Sequence, residues 1–139
     1  MYTRFVRNNF LASDKIYVGN SKITGAGRGV FAKQRLKKGD LVERCPIIEI
    51  SSDDPFITSS TLLNYVFFFG NKKKRCLFAL GFGSIYNHSE SPDIKFKINS
   101  KVKIIEFTAI KNIAKDEELT FNYRGVKTKN RKKPLWFEA

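Results

Sequence analysis

Apolar and polar positions in this chain change over in short runs, with turn residues interrupting them roughly every 8–12 positions. Ile94-Lys95-Phe96-Lys97-Ile98 alternates strictly, which predicts a strand with one apolar and one basic face. Asn99-Ser100 offers a turn, and Val102 to Phe107 is predicted to return as the hairpin partner. Further strands are predicted at Ile16-Tyr17-Val18, at residues 29–32, at Leu41 to Cys45 and, beyond Pro46, at Ile47 to Ile50, all rich in β-branched or aromatic residues. Gly39-Asp40 marks a turn, and residues 115–118 form a polar turn before a last strand, Leu119-Thr120-Phe121. One helix is predicted, Ser59 to Phe69: Ser59 or Ser60 can cap it, and Leu62, Leu63 and Val66 recur at helical spacing. The pattern as a whole predicts a mostly β domain with little helix.

At 139 residues the chain fits a single domain, 1–139, large enough to bury a core without metals or disulfides. A hydrophobic content of 42% excludes a disordered basic tail. Cys45 and Cys76 stand in no spaced framework, which suits a reducing compartment. No signal-type start is found, and the longest apolar run, residues 66–69, is far too short to span a bilayer. The expectation is a soluble intracellular protein without membrane association, in the cytoplasm, nucleus or nucleoid, of its own cell or of a host. The formal charge of +13 gathers at Lys72-Lys73-Lys74-Arg75 and between Lys127 and Lys133. Such patches attract polyanions, so nucleic acid is a candidate partner; the alternative is a surface that serves solubility alone.

Three segments carry candidate chemistry. Gly25-Ala26-Gly27-Arg28-Gly29 lets the backbone approach a ligand closely, or builds a glycine-rich turn. It fits neither phosphate motif: Val30 stands where a dinucleotide fingerprint needs glycine, and no Gly-Lys-Ser/Thr follows. His88, in Asn87-His88-Ser89-Glu90-Ser91-Pro92, is the only histidine, and with two distant cysteines it makes no metal ligand set. Tyr123 ends Glu117-Glu118-Leu119-Thr120-Phe121-Asn122-Tyr123, where a tyrosine ordinarily serves packing.

In this order and at these separations the three segments resemble the signatures of the SET-domain protein-lysine methyltransferases, over roughly residues 15–123. The lead-in Gly81-Phe82-Gly83 is closest to the short viral-type members that lack a C-terminal zinc site. The resemblance implies a β-clip-like fold of small sheets with a C-terminal pseudoknot, which brings the segment ending in Tyr123 beside Asn87. It implies S-adenosylmethionine as cofactor, held by Gly27, Arg28 and Gly29 through backbone, by the Asn87 side chain, the His88 backbone and Tyr123. Trp136, in the basic tail 124–139, is a further candidate, as a cover for the adenine. Tyr123 is expected to be catalytic with Tyr65, and Tyr65, Phe67, Tyr86 and Phe121 to wall the substrate channel. The chain departs from the family at Arg28 (often aromatic), Ser84 (usually Arg), Asp93 (usually Asn) and Asn122 (usually Asp).

Chemistry explains why a tyrosine suffices. A neutral lysine amine attacks a methyl carbon on a sulfonium, and deprotonating the amine costs roughly 4 kcal/mol near pH 7.4. A neighbouring cation and an apolar channel both lower that cost, which leaves alignment as the task. The resemblance implies a protein substrate with an accessible lysine: a histone tail, or a basic nucleoid or ribosomal protein. Viral-type members are dimers, so a homodimer is implied too. The competing reading is a basic nucleic-acid-associated module that keeps the fold without turnover.

Overall fold

The computed structural model describes residues 11–51, 53–55, 61–69 and 75–124. Among the described residues nine strands form two sheets: β1 (Ile16–Asn20), β2 (Arg28–Ala32), β3 (Leu41–Ser51), β4 (Val66–Phe69), β5 (Arg75–Ala79), β6 (Asn87–His88), β7 (Ile94–Asn99), β8 (Ile104–Ala109) and β9 (Glu118–Phe121). The first sheet has the order β1-β2-β9-β6 and the second β4-β5-β3-β8-β7. The mostly β SET-type architecture expected from sequence is therefore observed.

β9 positions the site. This last strand lies between β2, to which it is antiparallel, and β6, to which it is parallel. Asp93 holds it there: its buried carboxylate accepts from Thr120 N–H at 2.9 Å and Thr120 Oγ1 at 2.8 Å. The backbone adds Asp93 N–H to the Thr120 carbonyl and Ser89 N–H to the Phe121 carbonyl. The C-terminal segment is thereby sewn against the Asn87-His88 segment.

Two boundaries differ from the sequence expectation. β3 runs unbroken through Pro46, because that residue sits opposite Ile104 in a pair that exchanges no ladder bonds: Ile47 N–H bonds the Lys103 carbonyl instead. Pro46 needs no N–H there. Of the helix expected over residues 59–69, the described part, 61–69, is built otherwise: Thr61–Tyr65 is a 3₁₀ turn, and Val66–Phe69 is a strand paired with β5. Leu62, Leu63 and Val66 fit helical spacing, but the run Val66-Phe67-Phe68-Phe69 gains a strand partner that an isolated helix would lack. The predicted 94–107 hairpin forms, with Val102 in its turn and the return strand starting at Ile104.

The core joins both sheets through Val30, Leu36, Leu77, Ile105, Ile113 and Leu119, each at most 1% exposed. Burying a side chain of this size is worth about 2 kcal/mol. An aromatic cluster extends it: Phe121 packs on Phe67, Phe96 and Phe107 with ring centroids 5.3–5.6 Å apart. Cys45 and Cys76 are free and buried. Among the described residues no helix is long and apolar enough to cross a membrane.

Candidate active site

A cleft of about 530 Å³ opens where the glycine turn, the Asn87-His88 segment and the C-terminal segment meet. Residues 23–26 and Arg28 line it from the glycine turn, Asn64 and Tyr65 from the end of the 3₁₀ turn. Ser84, Ile85, Asn87, His88 and Tyr123 complete it. Its volume is that of a small-molecule site.

Asn87 is held by a network that spans the sequence. Its Nδ2 donates to the Arg28 carbonyl at 3.0 Å and to Glu118 Oε2 at 2.9 Å, and lies 3.2 Å from Ser21 Oγ. Glu118 also accepts from Ser21 Oγ at 2.9 Å and Lys22 N–H at 2.8 Å. With its amide hydrogens committed, Asn87 keeps Oδ1 as its remaining acceptor. Gly29 makes the arrangement possible: a Cβ there would stand 2.6 Å from Glu118 Oε2 and 3.1 Å from Asn87 Nδ2. Any other residue would push the carboxylate off the amide.

Tyr123 is fixed at three points. Its hydroxyl donates to the Tyr86 carbonyl at 2.6 Å, and its N–H donates to His88 Nδ1 at 3.0 Å. Its ring lies 4.9 Å from that of Phe121 and 5.2 Å from that of His88. As Nδ1 accepts, the neutral histidine carries its proton on Nε2, which faces Glu90 Oε1 at 3.2 Å. That hydrogen bond, with help from Arg124, holds the Glu90 carboxyl below its ordinary range. Burial, with the Tyr65 hydroxyl adding to it, pushes the Tyr123 phenol up to about 12.

Beneath the cleft, buried Glu43 accepts from Tyr86 Oη and Phe82 N–H, both at 2.9 Å. Burial, with Glu43 alongside, pushes the Tyr86 phenol far up, so it stays a neutral hydroxyl that donates to Glu43. Gly81, at φ +66°, has Glu43 Oε2 only 2.6 Å from where a Cβ would lie. The Gly81-Phe82-Gly83 lead-in thus wraps the Glu43 carboxylate and sets the turn that presents the Tyr86 carbonyl to Tyr123.

The structure brings Arg28, Tyr65, Asn87, His88 and Tyr123 to one cleft. Gly27 and Gly29 do not line it: Gly27 turns the chain at φ +74°, and Gly29 yields space to Glu118. The expectation that Phe67, Tyr86 and Phe121 wall a channel meets a different placement. Tyr86 and Phe121 are 1% and 3% exposed and Phe67 packs with them, so their side chains form the cluster behind Tyr123. Apolar character cannot tell a wall from the packing behind it. Trp136, Lys72 to Lys74 and the tail from residue 125 lie outside the described residues. Arg75 is described and pairs with Glu49 at 2.6 Å. Sequence reasoning gave no role to Ser21, Glu43 or Glu118, whose partners across the site are 31 to 97 residues away. Among the described residues no group of three His, Cys, Asp or Glu could hold a metal ion.

Comparison with known proteins agrees with this geometry. The SET-domain family model matches residues 27–124. A Schizosaccharomyces pombe histone-lysine N-methyltransferase specific for H3 lysine-37 is 29% identical over 113 residues, 81% of this chain and 71% of that protein. The crystal structure of a Plasmodium falciparum candidate histone methyltransferase superposes with a TM-score of 0.61 at 31% identity, over 78% of this chain and 92% of that one. Polycomb Repressive Complex 2 of Chaetomium thermophilum, in an autoinhibited conformation bound to S-adenosylmethionine, gives a TM-score of 0.66 at 26% identity, over 81% of this chain but 15% of that one. The chain belongs to the SET-domain family. Its class is the protein-lysine methyltransferases, enzymes that use S-adenosylmethionine.

Proposed function

We propose that this chain methylates lysine side chains of a basic chromatin protein, with histone tails as the foremost substrate, and that the cleft between Asn87 and Tyr123 is the site. The observation that carries the reading is the Tyr123 hydroxyl, fixed by the Tyr86 carbonyl in the same cleft as the oriented Asn87 amide.

The residues present fit the cofactor. Asn87 Oδ1 and the second lone pair of the Arg28 carbonyl are acceptors suited to its ammonium group, and Ile23 and Ile85 offer apolar surface to its adenosine end. S-adenosylmethionine supplies an electrophilic methyl group when bound. The chain's own task is to orient the lysine amine. The Tyr123 hydroxyl spends its hydrogen on the Tyr86 carbonyl, so toward that amine its oxygen acts as an acceptor of an N–H. A phenol raised to about 12 stays protonated at neutral pH, so Tyr123 is an orienting group and not a base. Tyr65, half-exposed in the same cleft, is the second hydroxyl within reach of the amine. The phenylalanine cluster behind Tyr123 keeps its ring from drifting, and alignment of this kind is a large part of catalysis where no strong base acts.

The histone specificity of the Schizosaccharomyces pombe relative supports the substrate class, and a nuclear protein is the reading that fits a histone substrate. The test is mass-spectrometric mapping of methyl-lysine on purified core histones after incubation with the protein and cofactor. New methyl-lysine that disappears with Tyr123→Phe supports the proposal. Cofactor binding without methylation of any histone removes histones as the substrate.

A further inference from the structure

Two turns at the far end of the first sheet carry a concentration of positive charge that the sequence scatters over two regions. Residues 33–40 follow β2, and residues 110–117 precede β9. An antiparallel bridge between Leu36 and Ile113 ties them together, with N–H to carbonyl distances of 2.9 and 2.8 Å in the two directions. Both side chains are buried, at 0% and 1% exposure, so the turns are anchored in the core. Lys38 N–H also bonds Asn112 Oδ1 at 3.0 Å. Continuing the register from Leu36–Ile113 sets Lys38 opposite Lys111. Lys33, Arg35, Lys37, Lys38, Lys111 and Lys115 are all exposed on this surface, and none forms an ion pair among the described residues.

Three carboxylates share these turns, and each is engaged by a neutral donor: Asp40 by Lys37 N–H, Asp116 by the Tyr17 hydroxyl, Glu117 by Ala114 N–H. They shape the backbone and pair with none of the six cations, which outnumber them, so the surface stays net positive. Like charges set opposite one another cost stability. A rigid surface that keeps them that way fits a polyanion with regularly spaced charge. Gln34 and Asn112, both exposed, add neutral donors of the kind that contact phosphate oxygens.

We propose that this paired-turn surface docks the phosphate backbone of duplex DNA. It lies five strand residues beyond Arg28, about 16 Å at 3.3 Å per residue, so DNA bound there leaves the cleft open. A basic histone tail would otherwise meet a chain of net charge +13, and DNA that carries both offsets the repulsion. That purpose rests on the histone-methyltransferase reading; the binding itself does not.

The test is fluorescence anisotropy of the full chain on a short labelled DNA duplex across about 50–200 mM salt. Lys38→Gln/Lys111→Gln is compared with Lys97→Gln/Lys101→Gln, which removes equal charge elsewhere. The first pair is expected to weaken binding roughly tenfold and to flatten the log–log salt slope by about 1.8, the second to do far less. Methylation of free peptide is expected to be unchanged in both variants, and methylation of nucleosomes to fall in the first alone. Equal effects of the two pairs overturn the proposal. So does an unchanged duplex affinity with lost binding to poly-glutamate, which would assign the surface to an acidic protein. Duplex binding as expected from a protein with no methyl transfer would leave this surface standing and remove the enzymatic reading.

Discussion

The Tyr123 hydroxyl donates a 2.6 Å hydrogen bond to the backbone carbonyl of Tyr86, so the residue proposed to orient the substrate is fixed by the residue just before Asn87. The phenol is held by backbone, which no side-chain rotation can withdraw. Tyr123→Phe keeps the ring packing on Phe121 and His88 and loses the oxygen. It is expected to cost stability only about 1 kcal/mol, by urea unfolding. In steady-state kinetics kcat is expected to drop about 10²–10³-fold, with cofactor affinity unchanged.

Burial of the same phenol sets an alkaline limb. Tyr123 is raised from 10.0 to about 12, so its neutral form is favoured by folding. The stability it contributes is complete below pH 10 and lost as pH rises through about 12. Wild-type Tm is expected to fall more steeply than that of Tyr123→Phe across this window. Identical slopes would mean the phenol is not buried as described.

Glu118 and Gly29 are expected to act as one unit. Glu118→Gln leaves one oxygen for two acceptor positions, so its NH₂ meets either the Ser21 and Lys22 donors or the Asn87 amide, and Gly29→Ala drives a methyl group into the carboxylate. Each is expected to weaken S-adenosylmethionine binding at least about tenfold, equal to roughly 1.4 kcal/mol in calorimetry. The double variant is expected to lose less than the sum, because the two residues share one contact.

Asp93 separates charge from acceptor geometry. Both of its bonds to Thr120 use a single oxygen, Oδ1, which an asparagine can supply. Asp93→Asn is expected to stay within about 1 kcal/mol of wild type. Asp93→Ala strands two buried donors and is expected to cost about 3 kcal/mol, with a lower melting temperature and looser exchange protection in β9.

Much of this architecture could be read in the sequence, and the exceptions have physical causes. Alternation at residues 94–98 and the turn residues around Gly39 and Asp116 set local structure, so those elements stand where expected. Pro46 misled because its effect depends on which strand positions lack ladder bonds, a property of the partner strand. The run ending in three phenylalanines misled because helical spacing and a strand pairing with β5 compete, and only the tertiary structure decides. Asn87, His88 and Tyr123 were legible as a motif. Glu118 was visible only as a letter of that motif, since its partners Ser21 and Lys22 lie some 97 residues upstream. Residue type could not tell which atoms of Tyr86 face which partner: its carbonyl accepts from Tyr123 while its side chain binds Glu43.

The most direct test of the account is transfer of labelled methyl from S-adenosylmethionine to protein lysine, with wild type, Asn87→Ala and Tyr123→Phe side by side. Label is expected on lysine with wild type, restored only by excess cofactor in Asn87→Ala, and nearly abolished at any cofactor level in Tyr123→Phe. Label at wild-type rate with Tyr123→Phe would contradict it, as would no label from a wild-type protein shown to bind the cofactor and given core histones and nucleosomes.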